Sequence, residues 1–252
     1  MQRIDKLLVQ KGLIASRSLA QQLIRAHAVE VRTGTGWQTV TRPAAAFPED
    51  TPLRILDHDL LRYVSRGGIK LEGALRHTGL DVHDTLCLDV GQSTGGFTDC
   101  LLQHGAAKVV GVEVGHDQLH DSLKADPRIV TLEGINARDM IDTVRPYLGD
   151  QGADLAVMDV SFISQRLVVP EVVECLRPAG HFLALVKPQF ELGPEALNDK
   201  GIVRDPSRYA ELETTTKTLY AEAGMTVLDW FDSPIAGGDG NREFFILARR
   251  PE

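Results

Sequence analysis

The sequence predicts a two-part α/β protein, a large and mostly parallel seven-stranded sheet preceded by a small helix-and-strand module. Three observations carry this expectation: short apolar runs alternating with helix-patterned stretches from residue 86 onward, a glycine-rich turn directly after the first of those runs, and a charge imbalance along the chain. Residues 1–56 hold eight Lys and Arg against four acids, a net of +4, so in a chain of net charge −8 the remainder carries −12. A basic front and an acidic back suggest that a polyanion meets the front part first.

In the front part, RIDKLLVQKG puts Ile4, Leu7 and Leu8 on one helical face, with Gly12 as a stop. Ser16 reads as the N-cap of a second helix, in which Leu19, Leu23 and Ile24 recur at helical spacing. Val29 and Val31 begin a strand, TGTGW is a turn, and QTVT and PLRIL supply further short strands. Arg3, Lys6, Lys11, Arg17 and Arg25 then lie on or near a two-helix surface able to follow a phosphate backbone, with a solvated polar face as the alternative. The expected boundaries are a front domain over 1–58, a linker over 59–65 and a large domain over 66–252.

In the large domain, LCLDV, KVVGVEV, RIVTL, DLAVMDV, HFLALVKP, TVLDWF and FFILARR read as strands, with helices between most of them. Only the loop SPIAGGDGNRE separates the last two, which predicts an antiparallel pair at one edge of the sheet. A ligand is expected at the carboxyl ends of the parallel strands, near the point where strand order reverses.

The turn after LCLDV carries Gly91, Gly95 and Gly96, where missing side chains let backbone approach a ligand. A P-loop would need GxxxxGK[ST], and the lysine is absent. A dinucleotide turn would need GxGxxG, and Ser93 replaces its second glycine, which disfavours pyrophosphate without excluding it. S-adenosylmethionine, which carries an ammonium and a sulfonium, suits Asp89, while Glu113 can accept hydrogen bonds from ribose hydroxyls of either cofactor.

Four charged residues stand where a plain sheet has no need of them: Lys70 before the first strand, Asp159 and Lys187 at strand ends, and Glu243 opening the last strand. Parallel strand ends gather at one edge, which brings Asp159 and Lys187 together. Such a group can activate a hydroxyl, with Lys187 taking or sharing the proton of a ribose 2′-hydroxyl. Lys70 would favour the neutral amine, and Asp159 and Glu243 would oppose it.

These residues sit in longer motifs: RIDKLLVQKGL, SRSLAQQLI, YVSRGGIKL, LDVGQSTGGFTDCLL, INARD, MDVSFIS, LVKPQFE, KGIVRDP and SPIAGGDGNREF. In their order the chain resembles the TlyA family, in which an S4-type RNA-binding domain precedes an FtsJ-like methyltransferase domain. The resemblance implies a Rossmann-like class I fold and S-adenosylmethionine-dependent 2′-O-methylation of cytidine ribose in ribosomal RNA. It also implies a catalytic tetrad of Lys70, Asp159, Lys187 and Glu243. Cofactor contacts carry over to Asp89, Gly91, Ser93, Gly95, Gly96, Phe97, Glu113, Asn136 and Asp159. The chain departs from the family pattern in VEVG for VDVG, in Gln92 where a small residue is usual, and in a longer hairpin at TGTGWQTV. The acidic large domain favours assembled ribosomal subunits over naked RNA as partner.

Lys200 and Arg204 fall in GPEALNDKGIVRDPSRY, a lid that contacts RNA or a surface loop, and Arg66 in SRGG is a candidate phosphate contact. Phe190 in PQF reads as core, with packing under a base as the alternative. Two other readings stand beside methyl transfer: a non-catalytic RNA-binding or ribosome-assembly factor, and a membrane-active protein suggested by the family's association with haemolysis. No window approaches the roughly 18 apolar residues of a membrane span, and the polar start MQRIDKLLVQKGL does not read as a signal peptide. A cytoplasmic location without stable membrane association is expected. Cys87, Cys100 and Cys175 read as small buried hydrophobes, and the eight histidines show no ligand spacing, so no metal is expected.

Overall fold

The apolar spacing at Ile4, Leu7 and Leu8 forms helix α1 (Ile4–Gln10), and Gly12 ends it at φ +67°. Helix α2 (Arg17–Arg25) starts where the Ser16 hydroxyl accepts the Leu19 amide at 3.3 Å. This computed structural model describes residues 1–14, 16–34, 36–56, 58, 61–237 and 240–252, in two units, Met1–Arg62 and Tyr63–Glu252. The expected linker 59–65, the turn TGTGW and the loop SPIAGGDGNRE each include residues outside those described.

In the first unit, β2 (Val29–Thr33) pairs antiparallel with β3 (Gly36–Thr39), in register from Glu30↔Thr39 to Thr33↔Gly36, and with β5 (Leu53–Ile55). Two short strands the sequence pattern does not reveal, β1 (Gln2–Arg3) and β4 (Ala46–Phe47), also pair. Ile4, Leu7, Leu8, Leu23, Ile24, Val29 and Val31 form its core. Asp5 is buried among them and binds Arg3 at 3.0 Å, Arg17 at 3.1 Å and Gln21 at 2.9 Å. Burial pushes this carboxyl up, but the hydrogen bonds from Arg3, Gln21 and Arg17 outweigh it and hold it well below the usual carboxylate range.

The second unit is a three-layer sandwich. Its strands are β6 (Leu86–Val90), β7 (Lys108–Glu113), β8 (Ile129–Glu133), β9 (Ala153–Met158), β10 (Leu176–Val186), β11 (Thr226–Asp232) and β12 (Phe244–Arg249). They order as β11-β12-β10-β9-β6-β7-β8, and only β12 runs against its neighbours. The expected antiparallel pair is present at the sheet edge, with β11 outermost and β12 inserted beside β10.

Period-two alternation sorts the strands' side chains between two helical layers. Phe182, Ala184 and Val186 pack toward α5 (Ile141–Leu148), α6 (Val169–Cys175) and α8 (Arg208–Glu222), whereas Leu183 and Leu185 pack toward α3 (Arg66–Thr78) and α4 (Gly96–Gln103). The three cysteines lie in these layers, where burial pushes each thiol up to about 12. Among the described residues, no helix is long and apolar enough to cross a membrane, and no group of His, Cys, Asp and Glu could hold a metal ion.

Candidate active site

Strands β6, β9 and β10 are parallel, so Gly91, Asp159 and Lys187, each following its strand, reach one edge of the sheet. Because β12 is reversed, it is the start of that strand that lies there, with Phe244 opposite Val186 and Glu243 next to it. The four charged residues form two ion pairs. Lys70 on α3, 7% exposed, is 2.6 Å from Glu243, 3% exposed, and Lys187 is 2.5 Å from Asp159. Lys187 donates its hydrogen bond to the Ser161 hydroxyl at 2.8 Å, so the ammonium is held between a carboxylate and a hydroxyl.

The segment after β9 is laced to the segment after β10. Besides the Asp159–Lys187 pair, the rings of Phe162 and Phe190 lie 5.0 Å apart. Glu191, at the end of the short helix α7 (Pro188–Glu191), accepts the Ser164 hydroxyl at 2.7 Å and the Gln165 amide at 2.9 Å. Gln165 continues inward, donating to the Leu185 carbonyl at 3.0 Å and accepting the Tyr220 hydroxyl at 2.8 Å. Burial raises the Glu191 carboxyl, while the Gln165 amide and Ser164 hydroxyl counter it. Phe190 is half-buried rather than core, and its partner Phe162 is 90% exposed with φ +62°. An exposed phenyl ring on strained backbone beside Lys187 is a surface on which a base can stack.

Two adjoining cavities meet at Gly91, Ser93, Asp159 and Ser161. The first, about 430 Å³, runs past Glu113, Val114, Asn136 and Ile163; the second, about 160 Å³, runs past Ser65, Gly96, Phe97 and Lys187. A larger cavity of about 660 Å³ near Gly149 and Arg250 contains none of these side chains. The Glu113 carboxylate accepts the Ser93 and Gly115 amides, each at 2.8 Å, and retains lone pairs for a ribose. Asn136 caps the short 3-10 turn after β8 and lines the first cavity. Phe97 lies mainly in the core, stacked on Phe245 at 6.4 Å, with only its margin on the second cavity.

Gly91 and Gly96 line these cavities and also let the backbone pack closely behind them. A Cβ on Gly91, at φ +84°, would come 2.7 Å from the Asp159 carbonyl, and one on Gly96 would meet the Ser65 hydroxyl at 2.1 Å. These positions let β6, β9 and the start of α3 close on one another, and the cleft lies between them. Asp89 is fully buried and lines neither cavity; one oxygen accepts the Thr98 hydroxyl at 2.7 Å, and the other has no partner. A carboxylate with a free oxygen beneath a cleft that also has Glu113 and Asp159 fits a cationic, ribose-bearing group such as S-adenosylmethionine.

The remaining expected contacts are not among the residues that line these two cavities. Arg66 donates to the Ala236 carbonyl at 2.6 Å and so braces the loop ahead of Glu243. Lys200 and Arg204 are exposed on a loop pinned by Asn241, which donates to the Gly201 carbonyl at 3.0 Å. Lys6, Lys11 and Arg25 are exposed on the first unit, and Arg3 and Arg17 are drawn onto Asp5. Ser161, Phe162 and Glu191 escape the sequence reading because each lies in a motif whose charged member draws the attention.

The FtsJ-like methyltransferase family model matches residues 63–250, and the S4 domain model matches residues 2–31. The chain is 40% identical over 247 residues to a 16S/23S rRNA (cytidine-2′-O)-methyltransferase, TlyA, of Mycobacterium tuberculosis, covering 98% of this chain and 89% of the relative. It is 36% identical over 242 residues to Hemolysin A of Brachyspira hyodysenteriae, covering 96% of this chain and 97% of the relative. A solved structure from Streptococcus thermophilus, whose name proposes a hemolysin, superposes with a TM-score of 0.77 at 37% identity, covering 100% of this chain and 89% of that one. An S-adenosylmethionine-dependent methyltransferase from Mesorhizobium loti shares the fold of the second unit, with a TM-score of 0.54 at 17% identity, covering 72% of this chain and 98% of that one. From the order of its two matched domains and its full-length relatives, the chain belongs to the TlyA family, an S4 domain followed by an FtsJ-like methyltransferase domain.

Proposed function

We propose that the protein is a ribosomal RNA methyltransferase that uses S-adenosylmethionine to methylate a cytidine 2′-hydroxyl, acting on ribosomal subunits in the cytoplasm. The observation that carries the reading is the meeting of the Lys187–Asp159 and Lys70–Glu243 pairs at the sheet edge that bears the Gly91 cleft. The names of the relatives support the same substrate.

When bound, S-adenosylmethionine supplies a methyl group made electrophilic by its sulfonium. Asp89, Gly91, Ser93, Gly95, Gly96, Phe97, Glu113 and Asn136 would hold it, with Asp159 at the mouth. Lys187, fixed by Asp159 and Ser161, first gives up one ammonium proton to water; its neutral amine then takes the hydroxyl proton, so the ribose oxygen becomes the nucleophile as that proton leaves. Lys70 adds positive charge balanced by Glu243, and its burial fixes it in place. Phe162, packed at a tilt against Phe190, offers the target base a ring while its ribose reaches Lys187. Catalysis is then chiefly a matter of placing the oxygen in line.

The test is transfer of labelled methyl groups from S-adenosylmethionine to ribosomal subunits from cells lacking the protein, with the modified ribose then mapped. Transfer that disappears in Lys187→Ala is expected. Absence of transfer with both subunits, despite RNA binding, would instead favour the assembly-factor reading.

A further inference from the structure

Gln92, in the glycine turn where the family pattern has a small residue, belongs to the wall of the second cavity, but its side-chain amide is turned inward. It is 3% exposed, its side chain fills the space where a Cβ on Gly111 of β7 would lie, and its amide donates to the Thr98 hydroxyl at 2.9 Å. That hydroxyl donates in turn to Asp89 at 2.7 Å. The three side chains form a buried relay in which each hydrogen bond points toward the carboxylate, so each polarises the next. Its far end is the Asp89 oxygen that has no partner.

We propose that Gln92 and Thr98 are positioning residues for the cofactor: they hold Asp89 as a carboxylate, with one oxygen free to attract the ammonium group of S-adenosylmethionine directly or through water. The proposal rests on the reading that the Gly91 cleft is the seat of that cofactor. The relay answers a specific difficulty. Burial raises the Asp89 carboxyl to about 7, and the charges that face it, Asp159 beyond β9 and Glu113 at the end of β7, push the same way. Lys187 answers Asp159, and Thr98 is the group that opposes the rise directly. Gln92 fixes the Thr98 hydroxyl so that its proton faces Asp89. Without that amide, the hydroxyl is free to rotate and the carboxylate takes up a proton more readily, leaving a neutral acid with little attraction for an ammonium.

The test is calorimetric titration of the full chain with S-adenosylhomocysteine, which keeps the ammonium, and with 5′-methylthioadenosine, which lacks it, at pH 6.5 and 8.5. Gln92→Leu keeps the size and removes the donor; Thr98→Val breaks the relay at its centre, and Thr98→Ser preserves it. If Gln92→Leu raises the Asp89 pKa by one unit, S-adenosylhomocysteine binds about eightfold more weakly than to the parent at pH 6.5 and less than about twofold more weakly at pH 8.5. Thr98→Val is expected to exceed this effect, Thr98→Ser to match the parent, and 5′-methylthioadenosine to bind all variants alike. Equal weakening at both pH values, or equal weakening for both ligands, would overturn the relay as a purely structural effect. If the parent bound neither ligand at pH 8.5, the cofactor seat itself would be overturned.

Discussion

Lys70 and Lys187 carry the same charge in different surroundings, and their removal should fail in different ways. Glu243 is buried against Lys70, so Lys70→Ala leaves an unpaired carboxylate inside the fold, at a cost of about 3–5 kcal/mol. Thermal unfolding should show that loss as a markedly lower Tm. Lys187→Ala leaves Asp159 with partial access to water and should retain the parent's Tm, while methyl transfer to ribosomal subunits falls by about 10²–10⁴-fold. Asp89 supplies a third residue-scale test. Its folded carboxyl is raised from 3.8 to about 7, so the folded state binds the proton more tightly than the unfolded chain and loses stability as pH rises between those values. Asp89→Asn removes that loss. Its Tm should exceed the parent's at pH 8 and match it near pH 4, and the variant should bind S-adenosylhomocysteine more weakly. These roles differ in legibility. The charges of Lys70, Asp159, Lys187 and Glu243 conflict with their apolar settings and can be seen in the sequence. Thr98 reads as an ordinary helix residue and Gln92 only as an unusually large residue in the turn, because only the fold brings them onto Asp89.

At the scale of elements, the two segments laced by Glu191 behave as one body carrying both Lys187 and Phe162. Glu191→Ala removes the acceptor for two donors and should lower the turnover rate about tenfold, with Glu191→Gln restoring much of it because an amide oxygen still accepts. Single-turnover kinetics on ribosomal subunits would measure both. The pairing of these segments is absent from the sequence pattern, since 164 and 191 lie on different strands' exits, and nothing short of the β9–β10 register aligns them. The strands themselves are legible, because near-continuous runs of Val, Leu and Ile have few other uses. The place of β12 is less so: its antiparallel partner β11 follows from the short loop, but its insertion beside β10 follows from packing of Phe244, Phe245 and Leu247 into both helical layers.

At the scale of the whole molecule, composition is informative about partners and silent about arrangement. The +4 of residues 1–56 and the −12 of the rest place the attraction for phosphate in the first unit, where Lys6, Lys11 and Arg25 are exposed. Binding to ribosomal RNA should therefore weaken steeply with salt. Replacing those three residues together by alanine should flatten the log–log slope by roughly two to three, while leaving S-adenosylhomocysteine affinity unchanged. Filter binding across a salt series, with calorimetry alongside, would check both halves. Arg3 and Arg17 look equally available in the sequence, but Asp5 takes both, a competition that helical spacing alone does not reveal.

The reversed strand β12 has a temporal consequence. Glu243 reaches Lys70 only after β12, which directly follows it, has paired with β10, a strand that precedes it in the chain. A ribosome making this protein therefore releases most of the sheet before the second ion pair can exist. Such a half-built chain would lack the Lys70–Glu243 pair, which the order of the chain makes the last of the four charged contacts able to form.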